Sequence, residues 1–503
     1  MSNIILLYPR TGNDIKPTIA PPHSLLTIAA LPSKAGYSVK IIDQRVCTNW
    51  KAELIKELWS HPLLVGISTM TGTQIHNAIN MARIVRRHSK VPIVWGGKHP
   101  TLMPKQILDS EYADIICVGE GDYTLKEIAD CLAAKRTLSS IKGIMLKGNT
   151  EVIEKPQISM DELPEPAWHL INMENYIHQD MYIEGNRVMD IGQTSKGCPF
   201  HCLFCSQGRT KWSAISAEKS IERVKRLVKE YRLDGIWFRD DEFYVNQKRV
   251  AKICEGILPL GIKWYTSGTR IDLFNKTTDE QVGLYKRSGA DVLKFGAESG
   301  NNRVLEMIGK GITIEDTLKA NIKCRKFGIV PAYNFMAGFP GETLNEIEQT
   351  VDFIQRLRRD NSSALFETIS LYAPMPGTPM WNTSLEYGLK PPETLEGWIN
   401  WRFDEHDDSG NRIPWFNAKE RKIIGNLCYL NLLVNVIPGL ANSYNGSSQG
   451  KLFKIAYSLP YKYFNFRLKH KMYRNMPEVK LIRWARKKIF IQNDETIKEG
   501  RNK

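Results

Sequence analysis

The sequence predicts an α/β protein with two successive blocks of strands and helices, followed by a helical region. Short apolar runs alternate with helical patterns over about the first 135 residues. A second alternation of the same kind begins near residue 187, and helical patterns alone follow from about residue 395. Strands that alternate with helices form parallel sheets covered by helices on both faces. We therefore expect two parallel sheets in sequence.

The first block contains five apolar runs, and five such units predict a flavodoxin-like doubly wound domain. The runs are NIILLYP, YSVKIID, LLVGIST, PIVWGG and ADIICVG. A ligand of this fold binds beyond the carboxyl ends of the strands. The loops at those ends contain Ser68, Thr69, Met70, Thr71, Gly72, Gly97, His99 and Gly119. No GxGxxG motif follows the first run, which disfavours a nicotinamide or flavin dinucleotide.

The second block contains six strand patterns and predicts a partial (βα)6 barrel of the TIM type. Its runs are VMDIGQT, GIWFRD, KWYTSG, VLKFGA, VPAYNFMAG and FETISL. Thr343 and Glu346 have the spacing of a capping box before the helix that follows the fifth run. We expect a first domain over 1–140, a linker over 141–186, the barrel over 187–395 and a basic helical region over 396–503. Chemistry in such barrels takes place at the carboxyl ends of the strands.

Three cysteines follow the first barrel strand at CxxxCxxC spacing: Cys198, Cys202 and Cys205. Thiolates at this density bind soft metals or iron–sulfur clusters. A zinc site would need a fourth ligand, which His201 could offer. Three thiols without a clear fourth favour a 4Fe-4S cluster with one iron open to a substrate or cofactor.

This motif at this place resembles the radical S-adenosylmethionine (SAM) superfamily. The resemblance implies that the three cysteines ligate three irons and that the fourth iron binds SAM, which is cleaved to a 5′-deoxyadenosyl radical. Further matches occur at the ends of the predicted strands, and the SAM contacts that they imply are Phe204, Asp240, Arg270, Glu298, Ser299 and Gly338. Pairing of Arg270 with Asp272 is an alternative to a role on the catalytic face. The resemblance assigns no catalytic residue.

A doubly wound domain before such a barrel is similar to the cobalamin-binding subgroup of this superfamily. The chain has no Asp-x-His-x-x-Gly loop, so a histidine of that motif cannot be the lower ligand of cobalt. The resemblance implies that residues 68–72 approach one face of the corrin, with Gly97, His99 and Gly119 near its edge or its nucleotide tail. His99 as a solvated loop histidine and Met70 as a core residue are the alternatives.

The resemblance implies a cobalamin-dependent methyltransferase acting on an unactivated carbon of a small-molecule or lipid-like substrate. The substrate radical would take the methyl group from methylcobalamin, and an external flavodoxin- or ferredoxin-type protein would supply electrons. A non-methylating oxidative cyclisation or rearrangement and a cluster or cobalamin sensor are alternatives. Methylthiotransferases, a further alternative, hold a second cluster with cysteines of the first domain. We interpret Cys47, Cys117 and Cys131 as structural thiols.

Composition and charge place limits on location and partners. The chain is 42% hydrophobic and 24% charged, with nine cysteines, which is typical of a globular protein in a reducing compartment. From Lys451 to Lys503 there are 15 Lys and Arg against 4 Asp and Glu, a net charge of +11 out of +15. We expect a cytoplasmic protein, with peripheral membrane contact through this basic and aromatic tail as a hypothesis, and no nucleic-acid partner.

Overall fold

The computed structural model of the chain describes residues 3–12, 14, 19–149, 151–153, 155, 158–180, 182–183, 185–401, 412–436 and 448–478. Three segments of the predicted C-terminal region lie outside the described residues, namely 402–411, 437–447 and 479–503.

The first sheet has six strands in the order β2-β1-β3-β4-β5-β6. The first five are parallel, and their order is that of flavodoxin-like domains. All five lie where the apolar runs predict them. The sixth pairs antiparallel with β5 and lies inside the predicted linker, where the sequence did not predict a strand. The strands are β1 Ile4–Tyr8, β2 Val39–Asp43, β3 Leu64–Ser68, β4 Ile93–Gly96, β5 Ile115–Cys117 and β6 Ile144–Leu146.

Helices cover both faces of this sheet, as its continuous apolar strands require. They are α1 His23–Lys34, α2 Trp50–Leu58, α3 Thr73–His88, α4 Lys98–Leu102, α5 Pro104–Leu108 and α6 Thr124–Ala133. One face also receives residues from much later in the chain. Leu389, Leu395, Trp398 and Trp401 are buried in the same apolar core as Ile5 and the inner side of α3.

The second sheet is a curled, all-parallel sheet of six strands in the order β14-β13-β12-β11-β10-β7. A short antiparallel hairpin, β8 with β9, follows its first strand. The six predicted barrel strands are confirmed, and the partial (βα)6 barrel with them. The strands are β7 Val188–Asp190, β8 Ser195–Lys196, β9 Ser213–Ala214, β10 Gly235–Phe238, β11 Lys263–Thr269, β12 Ala290–Glu298, β13 Val330–Ala337 and β14 Leu365–Leu371.

The barrel helices begin at side-chain caps that the sequence supplies. Thr343 caps its helix by a capping box with Glu346, as predicted, and Thr278 and Thr313 cap theirs in the same way. The helices are α7 Ala217–Tyr231, α8 Gln247–Ile257, α9 Ile271–Lys276, α10 Asp279–Arg287, α11 Asn302–Met307, α12 Ile314–Phe327, α13 Leu344–Asp360 and α14 Pro379–Glu386.

Alternate side chains of the barrel strands face the helices or the concave side of the sheet, which we call the lumen. On β12, Leu293 and Phe295 are fully buried in the helix-covered core, whereas Lys294 between them is partly accessible. On β13, Tyr333 and Phe335 are buried in the same way and Asn334 is partly accessible. The lumen therefore contains polar side chains such as Lys294 and Asn334 next to a small apolar cluster that includes Tyr265, Val292 and Ala332, whereas the outer layer is apolar.

In the C-terminal region, α15 Ala418–Asn431 and a π-helical turn Leu432–Val436 pack against β14, and α16 Ser448–Lys469 packs against these two elements. This agrees with the helical region that the sequence predicts. No helix in the described part of the chain is both long and apolar enough to span a bilayer.

Candidate functional site

The carboxyl ends of the two sheets face each other across an ionic contact between the domains. Lys98, the first residue of α4, donates to the backbone oxygen of Ser206 at 3.0 Å and to Oε1 of Gln207 at 3.1 Å. In the opposite direction, Lys196 of β8 pairs with Glu120 at 3.2 Å and with Asp122 at 3.3 Å. The loops beyond both sets of strands are thus brought to one place.

The three predicted cysteines lie on the loop between β8 and β9, and backbone contacts fix this loop. The backbone N–H of Cys198 donates to Oγ1 of Thr210 at 2.9 Å. Leu203 in the middle of the loop donates to the backbone oxygen of Ile308 and accepts from the backbone N–H of Met380. The loop is therefore held from both sides by the barrel.

The donor chemistry of this loop fits an iron–sulfur cluster. The Sγ of Cys202, which is buried, accepts from Nη1 of Arg270 at 3.5 Å, and the Sγ of Cys205 accepts from the backbone N–H of Gln207 at 3.4 Å. Hydrogen bonds to cysteine sulfur are among the means by which proteins tune such clusters. Burial raises the pKa of the Cys198 thiol to about 11, so its deprotonation would be coupled to metal binding.

The zinc alternative has no support in the described part of the chain. His201, the fourth ligand it would need, is exposed at the surface of the loop.

Arg270 forms the local pair with Asp272 that the sequence left open as an alternative, and its role towards SAM stays a prediction. Its Nε pairs with Asp272 at 2.8 Å, and its guanidinium lies over the ring of Phe200 at 3.8 Å. Its Nη2 donates to the backbone oxygen of Lys310 at 2.8 Å, which leaves Nη1 directed at Cys202. Arg270 thus pairs locally and also contacts the cysteine loop.

Glu298 ends β12 in the left-handed conformation, with a φ of 62°. This is a conformation that non-glycine residues seldom adopt, and it coincides with a register shift against β13. The carboxylate pairs with Nζ of Lys310 at 2.7 Å, and the two side chains are only 10% and 8% exposed. The buried ion pair therefore holds Glu298 against Lys310, whose backbone oxygen accepts from Arg270.

The other predicted SAM contacts also lie at the carboxyl ends of the strands. The ring of Phe204 packs against Phe339 with centroids 5.6 Å apart. Gly338 has a φ of 94°, and its N–H donates to Glu342 at 2.6 Å. Ser299 is fully buried, with its Oγ 3.3 Å from Oγ1 of Thr350.

Asp240 is buried and is used to organise the entrance to the cysteine loop. Its Oδ1 accepts from Oγ1 of Thr194 at 2.9 Å and from Oγ of Ser195 at 2.6 Å. Its Oδ2 is buried without a hydrogen-bond partner among the described residues. Burial raises the pKa of Asp240, which its hydrogen bonds oppose.

Sequence reasoning missed several residues of this site. Lys310 and Lys98 belong to no sequence motif that assigns them a role. Each contacts partners that are brought close only by folding. Glu242 was missed as well, although burial raises its pKa to about 8. A run of acidic residues directly after a buried strand was the available signal.

The predicted cobalamin loops lie at the carboxyl edge of the first sheet. One of their glycines lies close to the backbone of a neighbouring loop, and another borders open space. A side chain on Gly97, whose φ is 101°, would lie 2.9 Å from the backbone oxygen of Thr69. A side chain on Gly119 would meet nothing within 4 Å. The Oγ1 of Thr69 is buried without a hydrogen-bond partner among the described residues. An open edge with an unsatisfied polar atom fits a large cofactor rich in amides.

Two alternatives for this edge are wrong. Met70 is 45% exposed and is no core residue, because it lies in the loop beyond β3 rather than under a helix. His99 is 1% exposed and is no solvated loop residue, because Trp398 packs against its ring at 5.5 Å. Its Nδ1 is 3.1 Å from Oγ1 of Thr71, and burial lowers its pKa to about 4. Its Nε2 is buried without a partner among the described residues.

The three cysteines of the first domain cannot hold a cluster together. Cys47 follows β2, whereas Cys117 ends β5, and these strands are separated by β1, β3 and β4. Four inter-strand spacings amount to about 19 Å. Cys117 and Cys131 are buried, and Cys47 donates to Asn49 at 3.3 Å. This geometry disfavours the methylthiotransferase alternative.

Comparison with protein families assigns both blocks of the chain. The model of the radical SAM superfamily matches residues 193–354. The model of the B12 binding domain matches residues 17–129. The first range contains the cysteine loop and the second contains the candidate cobalamin loops.

Known proteins resemble the chain over most of its length. An uncharacterized methyltransferase, PH0819 of Pyrococcus horikoshii, is 33% identical over 434 residues, which cover 83% of this chain and 89% of that protein. The anaerobic magnesium-protoporphyrin IX monomethyl ester cyclase of Cereibacter sphaeroides is 25% identical, over 72% of this chain and 60% of the cyclase.

A solved structure shows the same fold. The cobalamin-dependent SAM radical enzyme OxsB, with aqua-cobalamin and SAM bound, superposes with a TM-score of 0.73 at 19% identity. The match covers 97% of this chain and 75% of OxsB. The chain therefore belongs to the cobalamin-binding radical SAM enzymes, whose cofactors are a [4Fe-4S] cluster, SAM and cobalamin.

Proposed function

We propose that this enzyme transfers a methyl group to an unactivated carbon of a small-molecule or lipid-like substrate. The observation that carries the proposal is the contact of Lys98 with Ser206 and Gln207, which joins the cobalamin edge of one domain to the cysteine loop of the other. When bound, the reduced cluster and SAM supply a 5′-deoxyadenosyl radical, and methylcobalamin supplies the methyl group. The likeness to a protein named as a methyltransferase supports this outcome.

Charged and aromatic side chains of the lumen are paired with one another. Nζ of Lys294 pairs with Glu367 at 2.7 Å and lies 3.9 Å from the centre of the Tyr182 ring, whose hydroxyl donates to Glu367 at 2.5 Å. Burial opposes the charge of Lys294, but Tyr182 and Glu367 raise its pKa, so the pair stays ionised. Lys294, Glu367 and Tyr182 thus satisfy one another, which leaves no unpaired charge among these three side chains of the lumen.

Arg239, which follows β10, is the cation that we propose orients a substrate. It lies over the Trp237 ring at 4.0 Å and pairs with the buried Asp190, yet its side chain is 40% exposed. Burial opposes the charge of Asp190, but Arg239 and His23 lower its pKa, so it stays anionic. Because Asp190 holds one edge of the guanidinium and the rest of the group is accessible, Arg239 can donate hydrogen bonds to polar groups of a substrate.

The experiment is anaerobic turnover of protein reconstituted with iron, sulfide and hydroxocobalamin, with SAM and a flavodoxin-type reductant. We expect both 5′-deoxyadenosine and S-adenosylhomocysteine, because methylation uses SAM in two ways. Cys202→Ala should lose iron and both products, whereas the matched control Cys47→Ala should keep them. Retention of iron and products by Cys202→Ala would contradict the assignment of the loop.

A non-methylating reaction is the second candidate, and the likeness to a cyclase favours it. It predicts 5′-deoxyadenosine without S-adenosylhomocysteine under the same conditions. A sensor predicts neither product from cluster-replete protein. For each of these three functions, we propose that the protein acts in the cytoplasm.

A further inference from the structure

The exposed side of α16 carries a stripe of large apolar side chains. Leu459, Tyr463 and Phe466 are 75%, 49% and 54% exposed, and their spacing of four and three residues places them on one face of the helix. Met472, just beyond the helix, is 47% exposed. Large apolar side chains scattered singly are ordinary on a protein surface, but a contiguous set marks a contact site.

The opposite side of the same helix is already used for internal packing. Phe464 and Leu468 are buried in the main core. A helix that is apolar on both sides is normally buried on both. The stripe is therefore not needed to attach α16 to the protein, and it leaves apolar area in contact with water.

Cations border the stripe on one side. Lys462 and Lys469 are exposed, and neither forms an ion pair with a carboxylate in the described part of the chain. Lys469 also lines a groove of about 860 Å³ between α13 and α16, together with Arg356 and Arg359. The groove contains one carboxylate, Asp352, and it is paired with Lys471 at 2.7 Å.

The sequence after the described residues continues the positive charge. Lys480, Arg483, Arg486, Lys487 and Lys488 follow within ten residues of Glu478. The cations bordering the stripe thus belong to the most basic segment of the chain, with its net charge of +11.

We propose that the stripe and its bordering cations bind the surface of an anionic lipid bilayer. Apolar side chains that protrude beside lysines match the boundary between acyl chains and phosphate headgroups. Nucleic acid or an acidic protein would use the cations but would leave Leu459 and Phe466 without an apolar partner. The inference stands independently of the reaction proposed above.

Flotation of the full-length protein with vesicles tests the proposal. We expect binding to phosphatidylcholine vesicles containing about one third phosphatidylglycerol, and little binding to pure phosphatidylcholine. Binding should fall as salt is raised, because screening shortens the reach of the lysines. Leu459→Asp with Phe466→Asp should reduce partitioning at least about tenfold, as should Lys462→Glu with Lys469→Glu.

Matched changes elsewhere serve as controls. Trp59→Asp replaces an apolar side chain that is 73% exposed on the first domain, and it should leave partitioning unchanged. Circular dichroism and retained cobalamin show that the variants are folded. The proposal is overturned if wild-type protein stays with the soluble fraction or if the stripe variant floats as well as wild type.

Discussion

Replacing Lys310 by methionine tests whether the buried ion pair with Glu298 supports the site. Both partners are at most 10% exposed and their atoms are 2.7 Å apart, so the change leaves a carboxylate unpaired in a poorly solvated place. Breaking a buried pair from one side costs about 3–5 kcal/mol. Glu298 is also held at a φ of 62°, so its strand end loses its restraint. We expect the free energy of unfolding of Lys310→Met to fall by about this amount.

The assay is urea unfolding of cluster-loaded protein, followed by far-UV circular dichroism. The double variant Glu298→Gln with Lys310→Met should recover most of the stability, since no lone charge remains. Equal stability of wild type and Lys310→Met would refute the reasoning.

Three further outcomes follow from the cobalamin domain and from the linker that packs against it. His99 has a pKa lowered to about 4 by burial, below the value near 6.5 of an unfolded chain, so stability should be lost as the pH falls through about 6.5 towards 4. Thermal unfolding at several pH values should show a weaker acid dependence for His99→Gln. Gly97→Ala should reduce retention of hydroxocobalamin through gel filtration, because its side chain would press on the loop beyond β3, whereas Gly36→Ala, with nothing within 4 Å, should not. Tyr176→Phe should lose roughly 1.5–3 kcal/mol in urea unfolding, because its buried hydroxyl donates to the Asp43 carboxylate at 2.9 Å.

Much of the fold was predictable because its signals are local. Eleven strands were read from short apolar runs, and the capping box at Thr343 was read from two residues three positions apart. The cysteine loop was predictable because all three thiols lie within eight residues. Membership of the family and its three cofactors are confirmed, whereas the roles of the individual SAM and cobalamin contacts and the domain boundaries stay predictions.

What the sequence did not predict depends on residues that meet only after folding. The burial of His99 requires Trp398, which is about 300 residues later in the chain. Lys310 stands in a loop after a helix, and nothing near it indicates that Glu298 is its partner. The strand β6 has only three residues and pairs antiparallel at an edge, so it carries too few apolar positions to stand out.

The burial of residues 389–401 in the core of the first domain has a consequence for how such an enzyme can be divided. Leu389, Leu395, Trp398 and Trp401 complete an apolar layer whose other side belongs to residues before position 150. A fragment ending before the barrel would expose that layer and would tend to aggregate. The cobalamin unit is continuous in sequence but completed by a distant part of the chain. It cannot be exchanged between relatives as an independent module unless this later segment is exchanged with it.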